Sequence, residues 1–61
     1  MKYHLTIESK DGKMIENSDI DMRDSDARKM FVKLKSKYKG TGALMQMLVF
    51  RDGKWCGFLK N

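Results

Sequence analysis

Sixty-one residues leave room for a single domain, and at that size folding removes only about 60% of the surface that the unfolded chain exposes. Hydrophobic residues make up 41% of the chain and charged residues 34%, the balance of a folded soluble domain rather than a disordered tail. No apolar run approaches the ~20 residues of a membrane span and no signal-peptide-like stretch is present, so a cytoplasmic location without a membrane partner is expected.

The lone cysteine, Cys56, excludes an internal disulfide. With the lone histidine, His4, it leaves too few soft ligands for an intrachain zinc site, so neither metal nor cofactor is expected. Thirteen Lys and Arg against eight Asp and Glu give a net charge of +5, unevenly spread. Between Glu8 and Asp26 seven acids (Glu8, Asp11, Glu16, Asp19, Asp21, Asp24, Asp26) face three bases, whereas residues 27–39 hold six bases and no acid.

Residues 2–8 alternate, with Tyr3, Leu5 and Ile7 on one side and Lys2, His4, Thr6 and Glu8 on the other, the period of a half-buried strand. Asp11-Gly12 then signals a tight hairpin. A three-residue loop, Lys10-Asp11-Gly12 with Gly12 left-handed, sets Ile7 opposite Ile15 and Glu8 opposite Met14. A two-residue loop would set Ile7 against Glu16 instead. The second strand is expected to fade by Ser18, because Asn17 to Asp21 is polar and poor in strand formers.

Asp24 or Ser25 reads as a helix N-cap, with Asp26 in the first turn where the helix dipole favours an anion. Ala27, Met30, Phe31, Leu34 and Tyr38 form one narrow apolar stripe, lysines crowd the last turn, and Gly40-Thr41-Gly42 supplies the stop. Ala43 to Phe50 follows, apolar except for Gln46. Arg51-Asp52-Gly53-Lys54 forms a second turn, and Trp55 to Leu59 runs back. The order β-β-α-β-β predicts an α+β domain spanning residues 1–61: an antiparallel sheet of about four strands with one helix across a face.

The second hairpin is apolar on both sides. Met45, Met47 and Val49 occupy one face of its first strand and Leu44, Leu48 and Phe50 the other, while Cys56 and Phe58 oppose Trp55 and Leu59 in its second. One helix covers one face only. At ~25 cal/mol per Å2, three or four large side chains left in water represent several kcal/mol of unrealised burial, and a patch of that kind marks a contact site. Leu44, Leu48, Phe50, Trp55 and Phe58 are the candidates for binding a partner. The alternative is that twist, residues 17–23 and the termini fold over this face.

Lys29, Lys33 and Lys37 stand at i, i+4 and i+8, and Lys35 and Lys39 form another such pair. With Arg28 they make either a solvated face balanced through space by the acidic hairpin, or a surface for phosphates or an acidic protein groove. Phe31 and Tyr38 belong to the apolar stripe, so this helix is not expected to stack single-stranded bases.

Catalysis requires a nucleophile beside a base, tuned carboxylates or a metal. His4 reads as a solvated strand residue and Cys56 as an inert thiol in an apolar strand. The aspartates 19, 21, 24 and 26 lack the Gly and bidentate Glu of a calcium loop. Gly40-Thr41-Gly42 follows a helix rather than opening one, so it is no phosphate cradle. No catalytic residue is assigned.

In style and size, the leading Asp-Gly hairpin, short lysine-rich helix and closing hairpin with Arg51-Asp52-Gly53-Lys54-Trp55 resemble small accessory proteins of tailed bacteriophages. Antitoxins, anti-restriction and anti-CRISPR inhibitors and blockers of host enzymes belong to that class. The resemblance implies direct, non-catalytic binding to a host protein. It assigns no role to any single residue, and the +5 charge departs from the acidic DNA mimics of that class. Two functions are therefore expected as alternatives. One is a protein-binding module, with a homodimer as its close variant. The other is a nucleic-acid-binding domain acting through Arg28, Lys29, Lys33, Lys35, Lys37 and Lys39.

Overall fold

Alternation at Tyr3, Leu5 and Ile7 produces an inner strand of a four-stranded antiparallel sheet, seen in a computed structural model that describes residues 1–61. The elements are β1 (Lys2–Glu8), β2 (Met14–Asp21), α1 (Asp24–Lys37), β3 (Leu44–Arg51) and β4 (Lys54–Lys60). Their spatial order is β2-β1-β3-β4, with each neighbouring pair antiparallel. The predicted α+β class and β-β-α-β-β order are those observed.

The helix lies over the face carrying Tyr3, Leu5 and Ile7 of β1 and Met45, Met47 and Val49 of β3, all buried with Ala27, Phe31 and Ala43. Each large side chain so buried contributes about 1.5–3 kcal/mol. Met30, Leu34 and Tyr38 complete the helix stripe, and Ile20, Met22, Cys56, Phe58 and Leu59 close the margins of the core. Residues 17–21 run as strand rather than folding over the sheet, and the opposite face has no covering layer.

The first hairpin has the expected three-residue loop. Ser9 N donates to Lys13 O at 2.7 Å, Gly12 N donates to Ser9 O at 2.9 Å, and Gly12 has φ +88°. Glu8 pairs with Met14 as expected, but Ile7 pairs with Glu16, because Ile15 is accommodated as a bulge. The bulge inverts the facing of every later β2 residue. Without it Asn17 and Asp19 would face the helix; with it Ile20 reaches the core and Asp19 turns to the open face beside His4. Nor does β2 fade at Ser18. It continues to Asp21, because Lys2 to Leu5 supply backbone partners that outweigh poor local propensity.

The second hairpin closes with Asp52 at φ 52° and Gly53 at φ 78°, the two left-handed positions of a type I′ turn, which Asp-Gly suits. A further bulge interrupts β4: Leu48 pairs with Gly57 and Met47 with Leu59, leaving Phe58 as the extra residue. Cys56, Phe58 and Leu59 all pack toward the core as a result. This corrects the expected opposition of Cys56 and Phe58 to Leu59. At the end of β4, Asn61 extends the ladder with its side chain. Nδ2 donates to Ala43 O at 2.9 Å and Oδ1 accepts from Met45 N at 2.8 Å.

The helix begins at Asp24, so the N-cap is Arg23, not Asp24 or Ser25, and no side chain caps it. Both expected anions are engaged by cations: Asp24 accepts from Arg28 Nε at 3.0 Å and Asp26 from Arg23 Nε at 3.1 Å. Arg23 already has cap geometry, φ −73° and ψ 153°. Arg23→Ser should therefore add about 0.5–1 kcal/mol through a side-chain cap, less the few tenths typical of an exposed pair such as Arg23–Asp26. Urea denaturation checks this as a higher midpoint at constant slope; an unchanged midpoint would mean that water serves these N–H groups equally well.

Tyr3 sits fully buried under the helix start, its hydroxyl directed at Asp24 Oδ1 at 3.5 Å and Met1 Sδ at 3.7 Å. Burial first, and the Asp24 carboxylate second, raise its pKa above the ordinary 10.0. The folded state thus holds the phenolic proton longer than the unfolded state. The associated stability is intact below pH 10 and is lost as pH rises through the folded value. Tyr3→Phe should flatten the fall in melting temperature above pH 10 relative to the parent and change little at pH 7; profiles that stay parallel across that range would contradict this.

Candidate functional site

Apart from the two bulges, every second residue of each strand faces away from the helix, and the register places these side chains in rows. Lys2, His4, Thr6 and Glu8 of β1 lie beside Leu44, Gln46, Leu48 and Phe50 of β3. Asp19 and Asp21 of β2 flank β1, and Trp55 of β4 pairs with Phe50. Leu44 is 64% exposed, Trp55 44% and Phe50 40%. Leu48 is half-buried.

The aromatic groups form a connected line. The rings of Phe50 and Trp55 meet edge to face with centroids 5.2 Å apart, and His4 meets Trp55 in the same manner at 5.9 Å. Because Trp55 and His4 belong to strands separated by β3, the indole lies across the sheet, over the strand carrying Leu48. Gly57, opposite Leu48, adds no side chain there. His4 Nδ1 lies 2.6 Å from Asp19 Oδ1, which anchors the other end of the line. A shallow depression of about 300 Å3 opens beside it, lined by Lys2, Asp19, Ile20, Asp21 and Trp55. Edge-to-face aromatic pairs add ~0.5–1.5 kcal/mol beyond area burial, so these rings are held in place while remaining open to contact.

Four of the five apolar candidates, Leu44, Leu48, Phe50 and Trp55, share this face. Phe58 does not. Two residues beyond Cys56, it lies on the helix side, where its ring is 4.9 Å from that of Tyr3 and under the Arg28 guanidinium at 4.7 Å. The sequence reading missed His4 and Asp19 as members of the site. Their pairing depends on the Ile15 bulge, which alternation alone does not reveal.

Five of the six basic candidates lie on the helix, on the other side of the sheet; Lys39 lies past the Tyr38 C-cap, because the helix ends at Lys37. Arg28 is committed to Asp24 and to the ring of Phe58. Lys29, Lys33, Lys35, Lys37 and Lys39 are exposed, and none has a carboxylate within 4.0 Å. The Lys37 ammonium lies 5.4 Å from the Tyr38 ring centroid. The acidic hairpin therefore does not balance the helix by direct pairing. Asp19 meets His4, Asp21 the Met1 amino group, Asp24 Arg28 and Asp26 Arg23. His4 and Cys56 lie on opposite faces of the sheet and form no thiol–imidazole pair.

The structure thus separates two surfaces that the sequence could have combined: an aromatic and aliphatic sheet face, and a cationic helix face directed away from it. Comparison with known proteins shows no match to this chain among protein-family models, curated proteins or solved structures.

Proposed function

We propose that the chain is a non-enzymatic protein-binding module that docks through its open sheet face, with Leu44, Leu48, Phe50 and Trp55 as anchors. The observation that carries this reading is the Phe50–Trp55 pair, fixed edge to face on strands yet 40% and 44% exposed on a face with no covering layer. Rigid aromatic anchors dominate protein interfaces, where a central Trp contributes ~2 kcal/mol or more on truncation. The rim suggests the partner's chemistry. Lys60 borders the β4 side, and Asp19 and Asp21 with Lys2 beside them border the β2 side. The complement is therefore an apolar patch with an acidic group at one margin and mainly basic groups at the other. Inhibition of a host protein by direct binding, the mode implied by the phage-protein resemblance, requires nothing further of this surface.

Trp55→Ala and Phe50→Ala should leave the circular dichroism spectrum unchanged, because neither ring belongs to the core. Each should weaken binding to a purified protein partner at least 10-fold, corresponding to about 1.4 kcal/mol. Sedimentation across a range of concentrations identifies the homodimer: association of the parent that Trp55→Ala abolishes makes the partner a second copy. Folded variants that retain every interaction of the parent would refute a contact role for this face.

A further inference from the structure

The helix face raises a question independent of the sheet-face reading: what offsets five exposed lysines that no carboxylate approaches? Like charges spaced at i, i+4 weaken a helix, and Lys29, Lys33 and Lys37 repeat that spacing; the one acid on their side, Asp26, is engaged by Arg23. The C-terminal end of the helix dipole favours only the last of them. Between Lys29 and Lys33, Val32 is left 65% exposed, and with Arg28 these residues line an open depression of about 380 Å3. The strip is therefore open and cationic, and its lysines, unlike Arg28, have no carboxylate within 4.0 Å.

We infer that this face binds the phosphate backbone of duplex nucleic acid without reading its sequence. Charges on one helix face recur every ~6 Å along a rigid rod, which suits a regular array of phosphates and supplies binding by counterion release. Of the side chains that read base edges, the outward strip has Lys and Ser but no Asn or Gln, and its one nearby arginine, Arg28, is held by Asp24 and Phe58. Its lysines are assigned to phosphates, which carry no sequence information. Single strands are bound by stacking on aromatic rings. Here Phe31 is buried, Tyr38 belongs to the core margin, and Phe50 and Trp55 face the other way. Because the two surfaces are back to back, a protein on the sheet and a duplex on the helix can be held at once.

Fluorescence anisotropy with an arbitrary 20-base-pair DNA duplex between 50 and 300 mM salt tests this. Four lysine–phosphate contacts give a slope of log Kobs against log salt of about −3.6, or a loss of roughly 100-fold between 50 and 200 mM. The double substitution Lys29→Gln/Lys33→Gln should reduce that slope by about two while the protein stays folded. Trp55→Ala should leave duplex binding unchanged, and a scrambled duplex should bind equally well. The inference falls if no duplex binding appears at 50 mM salt, or if the double substitution leaves the slope intact. Tighter binding to the single strand with loss in Trp55→Ala would move nucleic acid to the sheet face and overturn it. Binding to poly-glutamate but not to the duplex would assign the face to an acidic protein, which also overturns it. None of these outcomes bears on Trp55-dependent protein binding, which is read separately.

Discussion

Two hairpins and a helix become one domain through the pairing of β1 with β3, from Tyr3 opposite Val49 to Glu8 opposite Leu44. These strands are about forty residues apart in sequence, and their pairing places the two most apolar faces side by side. Tyr3, Leu5 and Ile7 meet Val49, Met47 and Met45 in one continuous floor, and the helix needs to contribute only Ala27 and Phe31 as fully buried cover. The same pairing has a second consequence. Every residue between these positions is turned outward, so Leu44, Leu48 and Phe50 are presented to solvent by the arrangement that buries the core. Burial on one side and exposure on the other are one geometric event.

Two single-residue bulges then decide what the open face contains. At Ile15 the bulge exposes one isoleucine but recovers Ile20 for the core and turns Asp19 toward His4. At Phe58 the bulge acts on the residue that follows: it moves Leu59 from the open face to the core margin, while Phe58 stays on the helix side against Tyr3 and Arg28. The result is a smaller and more polar open face than strict alternation would produce, with its aromatic content confined to Phe50 and Trp55. Both bulges lie in the outer strands, β2 and β4, where an irregularity also discourages pairing with another sheet edge.

Charge is distributed with the same two-sidedness. The aspartates of β2 and of the first helical turn each have a partner (His4, the Met1 amino group, Arg28 and Arg23), whereas the lysines of the helix have no carboxylate within 4.0 Å. Exposed pairs of this sort contribute little stability; their effect here is to leave the remaining positive charge uncancelled on one face. The sheet face combines anchored rings with charges of both signs at its margins, and the helix face combines an excess of positive charge with no exposed ring. Surfaces so different suit different partners, and the layer between them keeps them apart.

Local signals carried much of the architecture. Period-two alternation at residues 2–8, the left-handed Gly12 and Gly53 turns, the apolar stripe from Ala27 to Tyr38 and the glycine stop after it are short-range effects, because each depends on the steric and hydrogen-bonding habits of neighbouring residues. That one helix cannot cover two faces also followed from the chain alone. Tertiary structure decided which face stays open, that Leu59 leaves it, that His4 and Asp19 join it, and that the lysines point away from it. Those outcomes rest on strand register, and register answers to packing between residues tens of positions apart: shifting one strand by one residue exchanges its two faces, and only the assembled core establishes which of the two buries more.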